Sequence, residues 1–507
     1  MTLLKEADLK DIQGLALSGY GHLSHVEYTL LEFRNQEGAR RWLAGIVDDI
    51  TDASRYETAA DGSRVKPGGT LNIAFTRHGL NALGLPQDAV GSFSREYYEG
   101  MPRRAPILGD CGASAPDEWE SGYLDEQRIH ALLMIYRPGD ASPDDLHKAR
   151  QKHLAGTDDV VPIVTELGER LPEMREPFGF RDGLSQPRVE GIAEYTTASG
   201  PIIRTGEFIL GHENEYGILP PTPGIKAELD RRGILPPFPE LPGYRDLGRN
   251  GTYLVYRKLR QHVKEFWQFM AAHTRQRPGE KPSPDWHLRQ RHLAARLLGR
   301  WPDGKPLVLY PHTDEDGWGR GREHRTSFEY MKLDPHGYRC PLGAHIRRAN
   351  PRDNILEDSA KESLLTTSRH RIIRRGIPYG PRAVHPDVLD DVAAPITIQQ
   401  PDTERGLLFI VVNASIKRQY EFVQEEWANN VAFNGLFSNP DAIISATAAA
   451  ACGTTHRASD MTMQAQPLRS RLLDVPRFVD VRGGAYLFMP SLTTLRYLAS
   501  GQPGRAA

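Results

Sequence analysis

Four segments of the chain carry residues able to do chemistry together. In Glu176-Pro-Phe-Gly-Phe-Arg-Asp-Gly-Leu-Ser-Gln-Pro187, two glycines bracket a single acid, Asp182, and prolines close the stretch on both sides. Glycine tolerates φ > 0 and lets a ligand approach the backbone, so this composition predicts a tight loop presenting Asp182. An ordinary surface turn looks the same, and the loop gains meaning only from its company. The second segment, Arg339-Cys-Pro-Leu-Gly-Ala-His-Ile-Arg-Arg-Ala-Asn-Pro-Arg352, places small residues before His345, leaving room for a flat group. Arg347, Arg348 and Arg352 follow it, a cationic cluster suited to carboxylates. Arg371-Ile-Ile-Arg-Arg-Gly-Ile-Pro-Tyr-Gly380 contributes Arg374, and Asn439-Pro-Asp-Ala-Ile-Ile444 contributes Asp441.

Composition removes several function classes. The 63 basic and 65 acidic residues of the 507 leave a net charge of −2, so there is no electrostatic footprint for nucleic acid. The N-terminus meets charge at Lys5 and lacks the apolar stretch of a signal peptide. No run approaches the roughly 18 apolar residues of a membrane span, so a cytoplasmic protein is expected. Cys111, Cys340 and Cys452 are far apart and odd in number, which argues against a disulfide framework or a zinc ribbon.

The elements that must position these residues read as two similar halves. Strands are expected at 28–33, 71–75 and 130–136, with helices over 36–49 and 143–154. In the second half, 407–412 and 485–489 read as strands and 418–429 as a helix. The stripe Ala39, Trp42, Leu43, Ile46 and Val47 fits a 3.6-residue period. Strand–helix–strand units in two copies predict duplicated α+β domains with antiparallel sheets. Between them, 217–244 is too proline-rich for a helix interior or a central strand. Helical patterns follow at about 261–273 and 287–298. The expected division is 1–210, an insertion at 211–305, and 306–507.

The Gly179-Phe-Arg-Asp-Gly183 loop, the run from Ala344 to Arg352 and the run ending at Gly380 resemble signature segments of dye-decolourising peroxidases. The resemblance extends to Asp11-Ile-Gln-Gly14, Leu108–Pro116, Glu207–Gly211 and Val481-Arg-Gly-Gly484, so it covers nearly the whole chain in order, and the length resembles the larger subgroup. It implies two ferredoxin-like domains, with one haem b in the C-terminal one. It further implies hydrogen peroxide as oxidant, a ferryl intermediate, and organic donors such as phenols and dyes. Carried over by position, His345 would be the proximal iron ligand, Asp182 the distal acid–base residue and Arg374 the distal arginine. Asp441 would hydrogen-bond the free nitrogen of His345, with Glu421 next in line, and Arg347 would meet a haem propionate. Gly376 departs from members with a polar residue two after the arginine, removing a distal hydrogen bond. The alternative implied by the same motifs is a haem-binding or iron-extracting protein with incidental peroxidase activity. The chemistry agrees with the first reading. A carboxylate on the second imidazole nitrogen makes the ligand more electron-donating. One positioned carboxylate can take and return a proton, and a fixed guanidinium stabilises developing charge.

Overall fold

The computed structural model describes residues 4–54, 57–58, 64–192, 200–312, 326–355, 359–445 and 460–501. One antiparallel nine-stranded sheet organises them. Its order is Ile373–Arg374 and Ile377–Tyr379 at one end, then Gly406–Asn413, Thr252–Gln261, Val479–Met489, Thr70–Phe75, Ala131–Arg137, His25–Phe33 and finally Val160–Glu169. The two halves expected from the sequence are joined at a single register pair, Phe488 with Phe75. The free ends of the sheet then meet. Gly168 lies so close to Ile377 and the Pro378 carbonyl that a Cβ there would overlap, and the sheet is thereby rolled into a barrel.

Most expected elements are present with longer ends. The strand at 131–137 and the helix Pro143–Leu154 lie where predicted, the latter started by a Ser142–Asp145 capping box with proline at its first position. Asn35 caps Gln36–Ile46 by accepting from the Gly38 amide at 2.9 Å. Two corrections follow from the sheet. Val160–Glu169, unforeseen, pairs with His25–Phe33 as the outermost strand of the first half. Thr252–Gln261 falls inside the expected insertion, yet it is a central strand between Gly406–Asn413 and Val479–Met489. The helix expected at 418–429 is π-type, over Lys417–Glu421 and Val423–Asn429. Cys340 is a buried free thiol, but Cys111 is disulfide-bonded, a single bridge where the sequence argued against a disulfide framework. Cys452 lies outside the described residues. Among the described residues no helix is long and apolar enough to cross a membrane.

Alternation along the second half's strands creates two environments. Tyr256 and Lys258 point into the barrel, where the Tyr256 hydroxyl meets that of Tyr123 at 3.0 Å and Lys258 pairs with Glu166 at 2.9 Å. Arg257, Leu259 and Gln261 point the other way, to the floor of a cavity. On the neighbouring strand a bulge at Arg482 switches the parity, so that Val479 and Val481 join the same floor. The following Gly483 faces Tyr123, whose ring leaves no space for a Cβ.

Candidate active site

The cavity holds about 270 Å³ and gathers residues that the sequence disperses. Asp182, His345 and Arg374 all line it, whereas Asp441 and Arg347 do not. Gly376 does not itself line the cavity, but a Cβ there would lie 3.6 Å from the ring of Phe409, which does.

The loop carrying Asp182 is held from three sides. Phe178 stacks on Phe266 with ring centres 4.5 Å apart, and Phe180 lies parallel to Trp267 at 6.4 Å. The Trp267 indole donates to the Phe178 carbonyl at 3.1 Å, while the Asp182 amide donates to Met174 O at 2.8 Å. Gln186 then bridges to the strand bearing Arg374. Its side-chain carbonyl accepts from the Arg374 amide and its amide donates to the Arg374 carbonyl, both at 3.1 Å. That clamp puts the Arg374 guanidinium 3.0 Å from Asp182 Oδ1. The two side chains are 32% and 33% exposed, and both face the cavity. Burial alone would raise the Asp182 carboxyl, but Arg374, the Gly183 amide and Arg170 hold it below its ordinary 3.8. It is a carboxylate at neutral pH.

His345 opens the five-residue helix His345–Ala349. Gly299, which ends the helix Pro284–Leu298 with a φ of +98°, lies against Ile346 so closely that a side chain there would displace it. His345 Nδ1 is 3.0 Å from Asp441 Oδ2. Asp441 is fully buried, and its other oxygen accepts from the Ile443 and Ile444 amides at 2.8 and 3.1 Å. Burial would raise this carboxyl too, yet His345 and Arg348 hold it down. An ionised Asp441 requires Nδ1 to carry the proton, leaving the Nε2 lone pair for a ligand in the cavity. Glu421, the reserve acid, is committed elsewhere, to Arg104 at 2.6 Å and the Tyr486 hydroxyl at 2.9 Å.

The arginine assignment needs correction. Arg347 is wholly buried and spends its donors on Asp334, the Cys340 carbonyl and Asn354, because the short helix turns it away from the cavity. Arg348 is also buried and braces the Asp441 segment through the Trp427, Asn430 and Asn439 carbonyls. The cavity instead receives Arg352 and Arg371, with Arg300 and Arg374 nearby in the same wall. Burial and then the charge of Arg352 and Arg374 push Arg371 down to about 9, and burial with Arg352 does the same to Arg300. A guanidinium does not give up its proton at neutral pH, so the depression reflects first the burial of these charges and then their repulsion by neighbouring arginines. The Arg371 guanidinium has no acceptor among the described residues. This wall is built for an anionic guest. Nor is there, among the described residues, a cluster of three or more His, Cys, Asp or Glu able to hold a bare ion. A single imidazole suits a metal that brings its own ring of ligands. His370 and Glu176 also line the cavity and were not foreseen as site residues.

Comparison with known proteins agrees with this geometry. Residues 11–157 match the family model described as the DyP dimeric alpha+beta barrel domain. The chain is 28% identical over 518 residues to a dye-decolorizing peroxidase of Mycena epipterygia, covering 97% of this chain and 87% of that one. It is 29% identical to the multifunctional dye peroxidase DyP2 of Amycolatopsis sp., covering 92% and 91%. Among solved structures, an ancestral D-type dye decolorizing peroxidase superposes with a TM-score of 0.73 at 28% identity, over 98% of this chain and 99% of that one. A dye-decolorizing peroxidase in complex with 2,6-dimethoxyphenol shares the fold, with a TM-score of 0.73 at 23% identity over 97% and 99%.

Because Gln186 is the reciprocal link between the loop and the strand, Gln186→Ala is expected to destabilise the protein by about 1–2 kcal/mol in denaturant unfolding, the worth of two part-exposed hydrogen bonds. Hydrogen exchange across 179–187 is expected to quicken with it. Unchanged exchange would show that the aromatic anchors suffice alone.

Proposed function

This chain belongs to the dye-decolourising peroxidase family, and we propose that it is a haem peroxidase that uses hydrogen peroxide to oxidise organic donors such as phenols and dyes. The observation that carries the reading is one cavity holding both a carboxylate-backed imidazole and an ionised carboxylate–guanidinium pair. One haem b per chain fits the donor set: His345 Nε2 would bind its iron, and Arg352 and Arg371, rather than Arg347, would meet its propionates. When bound, that group supplies an iron that receives peroxide and stores the oxidising equivalents later filled by donor electrons.

The protein's own residues manage protons and charge. Asp441 keeps the proton on His345 Nδ1 and makes the imidazole a stronger electron donor. Asp182 takes a proton from one peroxide oxygen and returns it to the other, which then leaves as water. Arg374 offsets the negative charge on the departing oxygen and keeps Asp182 ionised meanwhile. Mere carriage or removal of haem iron requires no such pair, which is why the peroxidase reading stands ahead of it.

Four variants test these roles. His345→Ala is expected to fold, by circular dichroism, but to retain little or no haem; a normal Soret band would move ligation to His370, which also lines the cavity. Asp441→Asn is expected to keep haem and shift the ferric/ferrous potential upward, since a neutral amide leaves the imidazole less electron-rich, and an unchanged potential removes Asp441 from that role. Because Asp182 is held below 3.8, it stays ionised at about pH 5, where an ordinary histidine base is mostly protonated. Wild-type protein should therefore still show a fast Soret change with peroxide at that pH. Asp182→Asn should slow it by roughly 10²–10⁴-fold, the usual worth of a general acid–base group. Should Asp182→Asn react at the wild-type rate while Arg374→Leu does not, the arginine alone carries the step.

A further inference from the structure

One carboxyl in the cavity has no part in the roles above. Glu176 sits at the start of the Asp182 loop, where its oxygens accept from the Phe180 amide at 2.8 Å, the Phe178 amide at 3.0 Å and Gln261 Nε2 at 2.7 Å. It also forms a wall of a second cavity of about 70 Å³, bounded by Glu169, Glu173, Arg175, Pro378 and Arg382. Glu176 is thus the shared partition between that smaller cavity and the main one.

Among the described residues, the charged groups around it leave it without a counter-ion. Arg175 is taken by Asp390 at 2.5 Å and the Gly179 carbonyl at 2.8 Å, and Arg382 by Glu173 at 2.5 Å. Glu169 faces His25 at 3.9 Å. On the adjoining strand His262 pairs with Asp480 at 2.6 Å, and Arg257 with Asp110. Asp182, in the same loop and the same cavity, is negative. Burial therefore pushes Glu176 up to about 7, with the Asp182 charge adding to it and Gln261 and the two amides opposing. Two carboxyls in one cavity, driven apart in this way, divide the labour of base and proton store. Gln261 suits both states. Its buried side-chain carbonyl lacks a partner among the described residues, and a turn of the amide would present it to the protonated Glu176.

We propose that Glu176 is a proton-exchange residue between the second cavity and the main one, returning protons to the Asp182 side from solvent. The inference rests on the peroxidase reading, because that reaction creates the demand. Each turnover converts one peroxide, two donor electrons and two protons into two waters. Donors oxidised without entering the cavity leave their protons in solvent, so two must come in through the protein. In each transfer the Glu176 O–H passes its proton along cavity water toward the Asp182 side as a proton is consumed there, and the carboxylate left behind is reprotonated by a proton that solvent relays through the second cavity.

The test uses holoenzyme treated with one equivalent of peroxide and then ferrocyanide, following the return of the resting spectrum against pH. Wild type should slow as pH rises through about 7. Glu176→Gln should lose that break and run about 10²-fold slower below it, at the low end of a general acid's contribution. Gln261→Leu, which removes a donor that favours the ionised form, should move the break upward. A second reading does not depend on turnover. A carboxyl raised in the folded state binds more protons there than in the unfolded chain between its ordinary 4.5 and about 7, so wild type should lose stability relative to Glu176→Gln as pH rises across that interval. A break retained in Glu176→Gln, or a stability difference flat with pH, overturns the proposal. If wild type gives no spectral change with peroxide, the peroxidase reading itself has failed, and the stability comparison still tells whether Glu176 titrates.

Discussion

The period of two along Thr252–Gln261 is the constraint from which the rest of the molecule follows. The same ten residues must fill a barrel with Tyr256 and Lys258 while lining a cavity with Arg257, Leu259 and Gln261. A slip of one residue would exchange the two sets, sending a guanidinium among buried tyrosines. The bulge at Arg482 lets the neighbouring strand follow this alternation and still turn its valines to the cavity. Helices and loops on the cavity side then have a fixed floor against which to place their polar groups.

Against that floor, like residues acquire unlike properties. Asp182 and Asp441 are both buried enough to resist ionisation, yet Arg374 and the Gly183 amide hold the first below its ordinary value, and the His345 N–H, Arg348 and the Ile443 amide do the same for the second. Glu176, six residues before Asp182, has amides but no cation, and its balance tips the other way. The arginines show the complementary imbalance, crowded in one wall with Asp182 as the carboxylate among them. Charge in this cavity is distributed for a guest, and the protein alone does not neutralise it.

Much of this was legible in the sequence. The strands at 131–137 and 406–413 announce themselves as apolar runs, and Asp182 is marked by its glycines. Val160–Glu169 was missed because it is half exposed and carries Pro162 and Gly168, so neither a buried run nor a clean alternation is visible. Thr252–Gln261 was hidden by its mixed composition, since one face is polar by function. Arg347 was misplaced for a different reason. Two adjacent arginines on a five-residue helix cannot be oriented from their order, whereas Arg352 lines the cavity from a backbone with φ of +55° that no pattern of types predicts. Gln186 carried no signal at all beyond its place in the loop.

The rolled sheet has a consequence for the protein's behaviour in company. An open sheet of nine strands exposes two rows of unpaired amides and carbonyls, each a template onto which another chain can add a strand. Here the outermost strands converge, Gly168 packing against Ile377 and the Pro378 carbonyl, so that each end shields the other. Proline at 162 and 378 removes further donors from those same strands. Closure thereby guards the folded chain against edge-to-edge aggregation at high concentration, a protection conferred by shape and independent of its nearly balanced surface charge.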